Sequence, residues 1–125
     1  MEHIAMIVAG FGFRKGAGLG SLRDALDRAS GGQHVSALAT AADKADGLRA
    51  LATSLGAELI AVDAAELAAM ETVTQSATSH RARGVGSVAE AAALAGAGRG
   101  AALLGARVVS GDRKATCALA MGDGR

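Results

Sequence analysis

The chain has 125 residues, half of them hydrophobic, which suits one ordinary domain able to bury a core. Thirteen Lys and Arg stand against twelve Asp and Glu, for a formal net charge of +1, and no block of like charge occurs. With two Phe, no Tyr and no Trp, the chain lacks both the basic patch and the stacking platforms of a nucleic-acid binder, so no nucleic-acid partner is expected.

Cys117 is the single cysteine and cannot form an intrachain disulfide. The opening Met1-Glu2-His3 lacks the basic stretch of a signal peptide, and the apolar run Ile4 to Ala9 is too short to span a bilayer. A cytoplasmic protein with no membrane association is therefore expected.

In chain order, Ile4 to Ala9 ends in glycines and suits a strand buried on both faces. Ser21 is placed to cap a helix whose apolar face is Leu22, Ala25, Leu26 and Ala29, stopped by Gly31-Gly32. Val35 to Ala39 predicts a second strand. Leu48, Leu51, Ala52 and Leu55 recur at helical spacing up to Gly56, and Glu58 to Val62 predicts a third strand. Asp63 followed by Glu66 starts a helix over Ala64 to Met70, and the polar stretch Glu71 to Arg83 reads as the longest loop. Ser87 and Glu90 have capping-box spacing before an Ala-rich helix that should stop near Gly96 to Gly100. Strands over Ala102 to Val109 and Ala115 to Met121 are joined through Gly111-Asp112 as a hairpin. The alternation predicts a three-layer α/β/α sandwich with a mixed, mostly parallel sheet and an antiparallel edge contributed by the last strands.

Ligands of open α/β sheets bind at the carboxyl ends of the strands, where glycines expose backbone N–H groups. Gly10, Gly12, Arg14, Lys15 and Gly16, between the first strand and the first helix, are thus the leading anion-binding candidates. Their spacing matches neither common nucleotide-binding glycine pattern, and a solvated loop is the plain alternative. Lys44 follows the second strand on the same edge, where it can bind a carboxylate or polarise a carbonyl; flanked by Asp43 and Asp46, it also suits a surface ion pair. Glu90 fits the capping box first, and a general acid or base role is compatible with it if the helix start lies at the pocket. Gly86 and Ser87 at that helix start, and Ser76 in the polar stretch, complete the binding candidates, with the glycine loop, Lys44 and the Ser87 to Glu90 helix start expected around one cleft. Cys117, inside an apolar strand, reads as a buried hydrophobe rather than a nucleophile. His3, His34 and His80 stand at no recognised ligand spacing, and neither a protein-bound metal nor a cofactor is expected.

Several segments in order resemble the CobE/CbiG C-terminal family of cobalamin (vitamin B12) biosynthesis. They are Gly10-x-Gly12-x-Arg14-Lys15-Gly16, Leu38-Ala39-Thr40 leading to Lys44-Ala45-Asp46, Ala64-Ala65-Glu66-Leu67, Gly84-Val85-Gly86-Ser87-Val88-Ala89-Glu90-Ala91-Ala92-Ala93-Leu94, and Ala115-Thr116-Cys117-Ala118-Leu119-Ala120. Phe13 stands where the family often has Cys, Ala17-Gly18 where it often has Thr-Ser, and Arg107 corresponds to its basic residue before the last strand. The resemblance implies an α/β protein that binds or processes a precorrin or cobalt-precorrin tetrapyrrole, with the pathway's methyltransferases as possible partners. It leaves two activities open. One is a binding or channelling module; the other is a hydrolase of the kind that opens the ring lactone of cobalt-precorrin-5A, with Lys44 or Glu90 assisting.

Overall fold

The computed structural model describes residues 5–125. Its elements are β1 (Met6–Phe13), α1 (Leu19–Ser30), β2 (Ala37–Ala41), a 3₁₀ segment (Ala42–Leu48), α2 (Arg49–Leu55), β3 (Glu58–Val62), α3 (Ala64–Ala68), α4 (Ala77–Arg83), α5 (Val88–Ala97), β4 (Ala102–Leu103), β5 (Val108–Val109) and β6 (Ala115–Gly122).

The strand order is β3-β2-β1-β6-β4, with β5 also paired to β6. β1, β2 and β3 are parallel, and β6 runs antiparallel to β1 along its whole length, from Met6 opposite Gly122 to Phe13 opposite Ala115. β4 and β5 pair antiparallel with opposite ends of β6. The sheet is mixed, with a parallel core and an antiparallel edge made by the last strands, as expected, and β6 is the reversed strand next to that core. It lies inside the sheet, beside β1, because its run of Ala, Cys and Leu is apolar enough to be covered on both faces. The single strand expected over Ala102 to Val109 is two short pieces.

Helices cover both faces. On one, α5 and α3 enclose a core with Val8, Ala39, Ile60, Val62 and Leu67. On the other, α1 and α2 bring Leu22, Leu26 and Leu51 against Phe11, Leu38 and Cys117. Each fully buried Leu or Phe stabilises the fold by about 1.5–3 kcal/mol relative to exposure. The apolar side chains of α5 are mostly alanine, so it can lie very close to the sheet: a Cβ at Gly10 would sit 2.0 Å from the Ala89 carbonyl oxygen and 2.4 Å from the Ala93 nitrogen. Gly10 and Gly12 are therefore residues of β1, and the strand continues four residues past the expected end at Ala9; Ile4 lies outside the described residues.

Other expectations need smaller corrections. Gly18, not Ser21, precedes α1; Ser21 lies inside the helix and its hydroxyl donates to Asp112. β2 begins at Ala37 rather than Val35, while β3 spans the predicted residues. Asp63 caps α3 by accepting from the Glu66 N–H at 2.8 Å, although the helix stops at Ala68. The polar stretch read as loop contains α4, capped by Ser76, none of whose residues is buried. Among the described residues, no helix is long and apolar enough to cross a membrane.

Candidate functional site

The carboxyl ends of β1 and β2 and the start of the reversed β6 come to one edge of the sheet, at Phe13, Ala41 and Ala115. Chain leaving β1 and β2 and chain entering β6 therefore deliver side chains to the same place. With α4 opposite, they enclose a cleft of about 590 Å³.

Six cations line it: Arg14 after β1, Lys44 after β2, Arg83 from α4, Arg107 before β5, and Arg113 and Lys114 before β6. Among the described residues, no carboxylate does. The chain as a whole is nearly neutral, so this edge concentrates positive charge that the rest of the molecule balances. Polar hydroxyls from Thr40, Ser76, Thr78, Ser79 and Thr116 and the apolar Phe13, Val88 and Val109 complete the wall.

Lys44 is half-buried, with Nζ 3.2 Å from the Phe13 carbonyl oxygen, to which it donates, and 5.2 Å from the centroid of the Phe13 ring. The ring in turn rests where a side chain on residue 47 would be: a Cβ at Gly47 would stand 2.7 Å from it. Thr40 and Thr116 donate from their hydroxyls to the carbonyls of Phe11 and Gly12, at 2.8 and 3.2 Å, and so hold the end of β1. Arg83 donates to both oxygens of Asp43, at 2.7 and 2.9 Å, linking α4 to the segment after β2. This pairing holds the Asp43 carboxyl below its ordinary range and raises Arg83. Among the described residues, Arg14, Arg107 and Arg113 form no side-chain ion pair.

Glu90 is fully buried and lies outside the cleft lining. One oxygen accepts from the N–H groups of Val73 and Thr74 at 2.7 and 2.9 Å, and the other from the Thr74 hydroxyl and, at 2.9 Å, the Arg107 N–H. Burial pushes its pKa up, but these four donors outweigh burial and leave the carboxyl below its ordinary value. Of the capping box, one half forms, from the Glu90 N–H to the Ser87 hydroxyl at 3.2 Å. The Glu90 side chain instead ties α5 to two of the segments beside the cleft, the one leading to α4 and the one bearing Arg107.

Of the candidates read from sequence, Gly12, Arg14, Lys44 and Ser76 line the cleft. Lys15 and Gly16 lie just outside, in an exposed turn where Gly16 has a left-handed φ of 90°. Gly10 is under α5, Ser87 caps that helix, and Gly86 accepts from the Ser76 N–H at 2.8 Å and faces a separate hollow with Glu71 and His80. Arg83, Arg113 and Lys114 were not singled out. Arg83 ends a stretch without apolar periodicity, whereas the adjacent Arg113-Lys114 pair before a strand is the same kind of signal as Arg14-Lys15 after one. Cys117 is buried and its thiol is pushed well above its ordinary pKa by that burial.

Comparison with known proteins agrees with this architecture. The family model described as cobalamin synthesis G C-terminus matches residues 7–120. The crystal structure of CobE, a protein from the cobalamin (vitamin B12) biosynthetic pathway, is 38% identical, with a TM-score of 0.82 over 94% of this chain and 93% of that one. The cobalamin biosynthesis protein chiG from Agrobacterium tumefaciens str. C58 is 39% identical, with a TM-score of 0.70 over 93% of this chain and 98% of that one. Comparison with curated proteins gave no match. A family match across the sheet and both helical layers, with two relatives of the same fold and pathway, makes this chain a cobalamin biosynthesis protein of the CobE and CbiG C-terminal family.

Proposed function

We propose that the chain binds a precorrin intermediate of corrin-ring construction in the cleft at the carboxyl edge of its sheet. The observation that carries this is the array of six lining cations, with no carboxylate among the described residues of the lining. A precorrin is a broad macrocycle fringed with acetate and propionate groups, and each charge-assisted hydrogen bond to such a group contributes about 1.5–3 kcal/mol. The hydroxyls and the Phe13 and Val88 surfaces supply the remaining polar and apolar contacts.

Binding, with release to a methyltransferase of the pathway, is favoured over turnover. Lys44 carries the charge needed to polarise a ring carbonyl, but among the described residues no His, Cys, Asp or Glu lines the cleft to act beside it, and Glu90 is committed to four backbone and hydroxyl donors. The test is to incubate the pure protein with a panel of precorrins while following absorbance and mass. An absorbance change with constant mass is expected; a mass change that depends on Lys44 would establish the hydrolase instead.

A further inference from the structure

Resting on that reading of the cleft, we infer that it grips its macrocycle only by the peripheral carboxylates and takes no hold on the ring centre, so that metal-free and metal-bearing rings bind alike. A ring-held metal is sensed by an axial donor, normally His, Cys, Met or a carboxylate. Among the described residues, none that lines the cleft is of these types. Guanidinium and ammonium groups have no lone pair to offer a metal. The neutral hydroxyls of Thr40, Ser76, Thr78, Ser79 and Thr116 are not among the axial donors that ring-held metals normally take, and those of Thr40 and Thr116 also hold the carbonyls of Phe11 and Gly12. The cations instead come from separate segments around the cleft, the arrangement needed to meet acidic groups spread round a rim.

Charge leads to the same conclusion. A divalent metal entering a porphyrin replaces two pyrrole protons, so the net charge felt by Arg14, Arg107, Arg113 and Lys114 does not change. The attraction is governed by the number of peripheral carboxylates.

The experiment uses uroporphyrin, coproporphyrin and deuteroporphyrin, which carry progressively fewer carboxylates, each as the free base and as the zinc complex. Affinity for the whole protein is followed by fluorescence and by the main visible band. Uroporphyrin is expected to bind tightest and deuteroporphyrin weakest, with free base and zinc complex within about threefold, equivalent to about 0.7 kcal/mol. Added salt and the variants Arg107→Gln and Lys114→Gln should weaken uroporphyrin more than deuteroporphyrin. A zinc preference beyond about threefold, or a reversed carboxylate order, overturns the inference while leaving precorrin binding intact. Precorrins binding where no porphyrin does also overturns it. If neither class binds, the cleft is not a tetrapyrrole site and the proposed function falls with the inference.

Discussion

Arg83 and Asp43, forty residues apart in sequence, are joined by two parallel hydrogen bonds of 2.7 and 2.9 Å across the mouth of the cleft. α4, which buries no residue of its own, is thereby fastened to the segment after β2. The pair also places one carboxylate next to an otherwise cationic wall. Asp43→Asn should release the Arg83 guanidinium for ligand and tighten binding of a precorrin or uroporphyrin severalfold, measured by titration. Because the Asp43 side chain is 66% exposed, folding stability should change by no more than about 1 kcal/mol.

Arg14 and Lys15 are neighbours with different positions, since Arg14 lines the cleft and Lys15 does not. Arg14→Ala should weaken ligand binding by about tenfold or more, the loss of one charge-assisted hydrogen bond of about 1.5–3 kcal/mol. Lys15→Ala should cost less than about threefold, through long-range attraction alone. Equal losses for the two variants would show that the turn, rather than the cleft wall, meets the ligand.

Glu90→Gln separates a structural from a reactive role. The amide nitrogen would replace one oxygen that accepts from Val73 and Thr74, or the other that accepts from Thr74 and Arg107, so donor would face donor. Urea denaturation should show a loss of about 1–3 kcal/mol, together with weaker ligand binding as the two segments it ties loosen. Unchanged stability would return Glu90 to the list of reactive candidates.

Acidification should destabilise the fold through the carboxylates whose pKa is lowered by their partners, Asp112 and Glu90 among them. Asp112 accepts from the Ser110 and Ser21 hydroxyls and the Lys114 N–H, which lower its pKa from 3.8 to about 2. The folded value lies below the unfolded one, so its contribution is present above about pH 4 and fades as pH falls towards 2. Glu90, lowered from 4.5, acts in the same direction from a slightly higher pH. Thermal melts between pH 2 and 6 should show this loss, and Asp112→Asn should flatten its lower part.

Two glycine substitutions should have opposite signs. Gly10→Ala drives a methyl group into the backbone of α5, where Ala89 cannot yield, and should cost about 3 kcal/mol or more. Gly20→Ala, in the exposed first turn of α1 with open space around it, should stabilise by up to about 1 kcal/mol. Chemical denaturation of both variants checks this.

What could be read from sequence, and what could not, follows from where each signal resides. β3 and the capped starts of α3 and α5 were legible because Asp63 and Ser87 make local hydrogen bonds to residues three positions on. α4 was not, since a helix without a buried face has no apolar period. The strand role of Gly10 depends on α5, nearly eighty residues later, and the partners of Glu90 lie in two other segments. Likewise, the Gly12, Arg14, Lys44 and Ser76 part of the cleft was visible as residue types near strand ends. The Arg113 and Lys114 part required the reversal of β6, and Arg83 required α4 and its pairing with Asp43.

That reversal also bears on how the protein is made. β6 lies against β1, with Thr116 opposite Gly12, so the middle of the sheet joins residues more than a hundred apart in sequence. A ribosome must deliver the chain through about residue 122 before β1 can gain this neighbour, and Arg107, Arg113 and Lys114 reach the edge only then. A chain that stops before β6 holds β1, β2 and β3 but only part of the cleft lining. On the proposed function, a macrocycle would be held by the full set of cations only after β6 has been made.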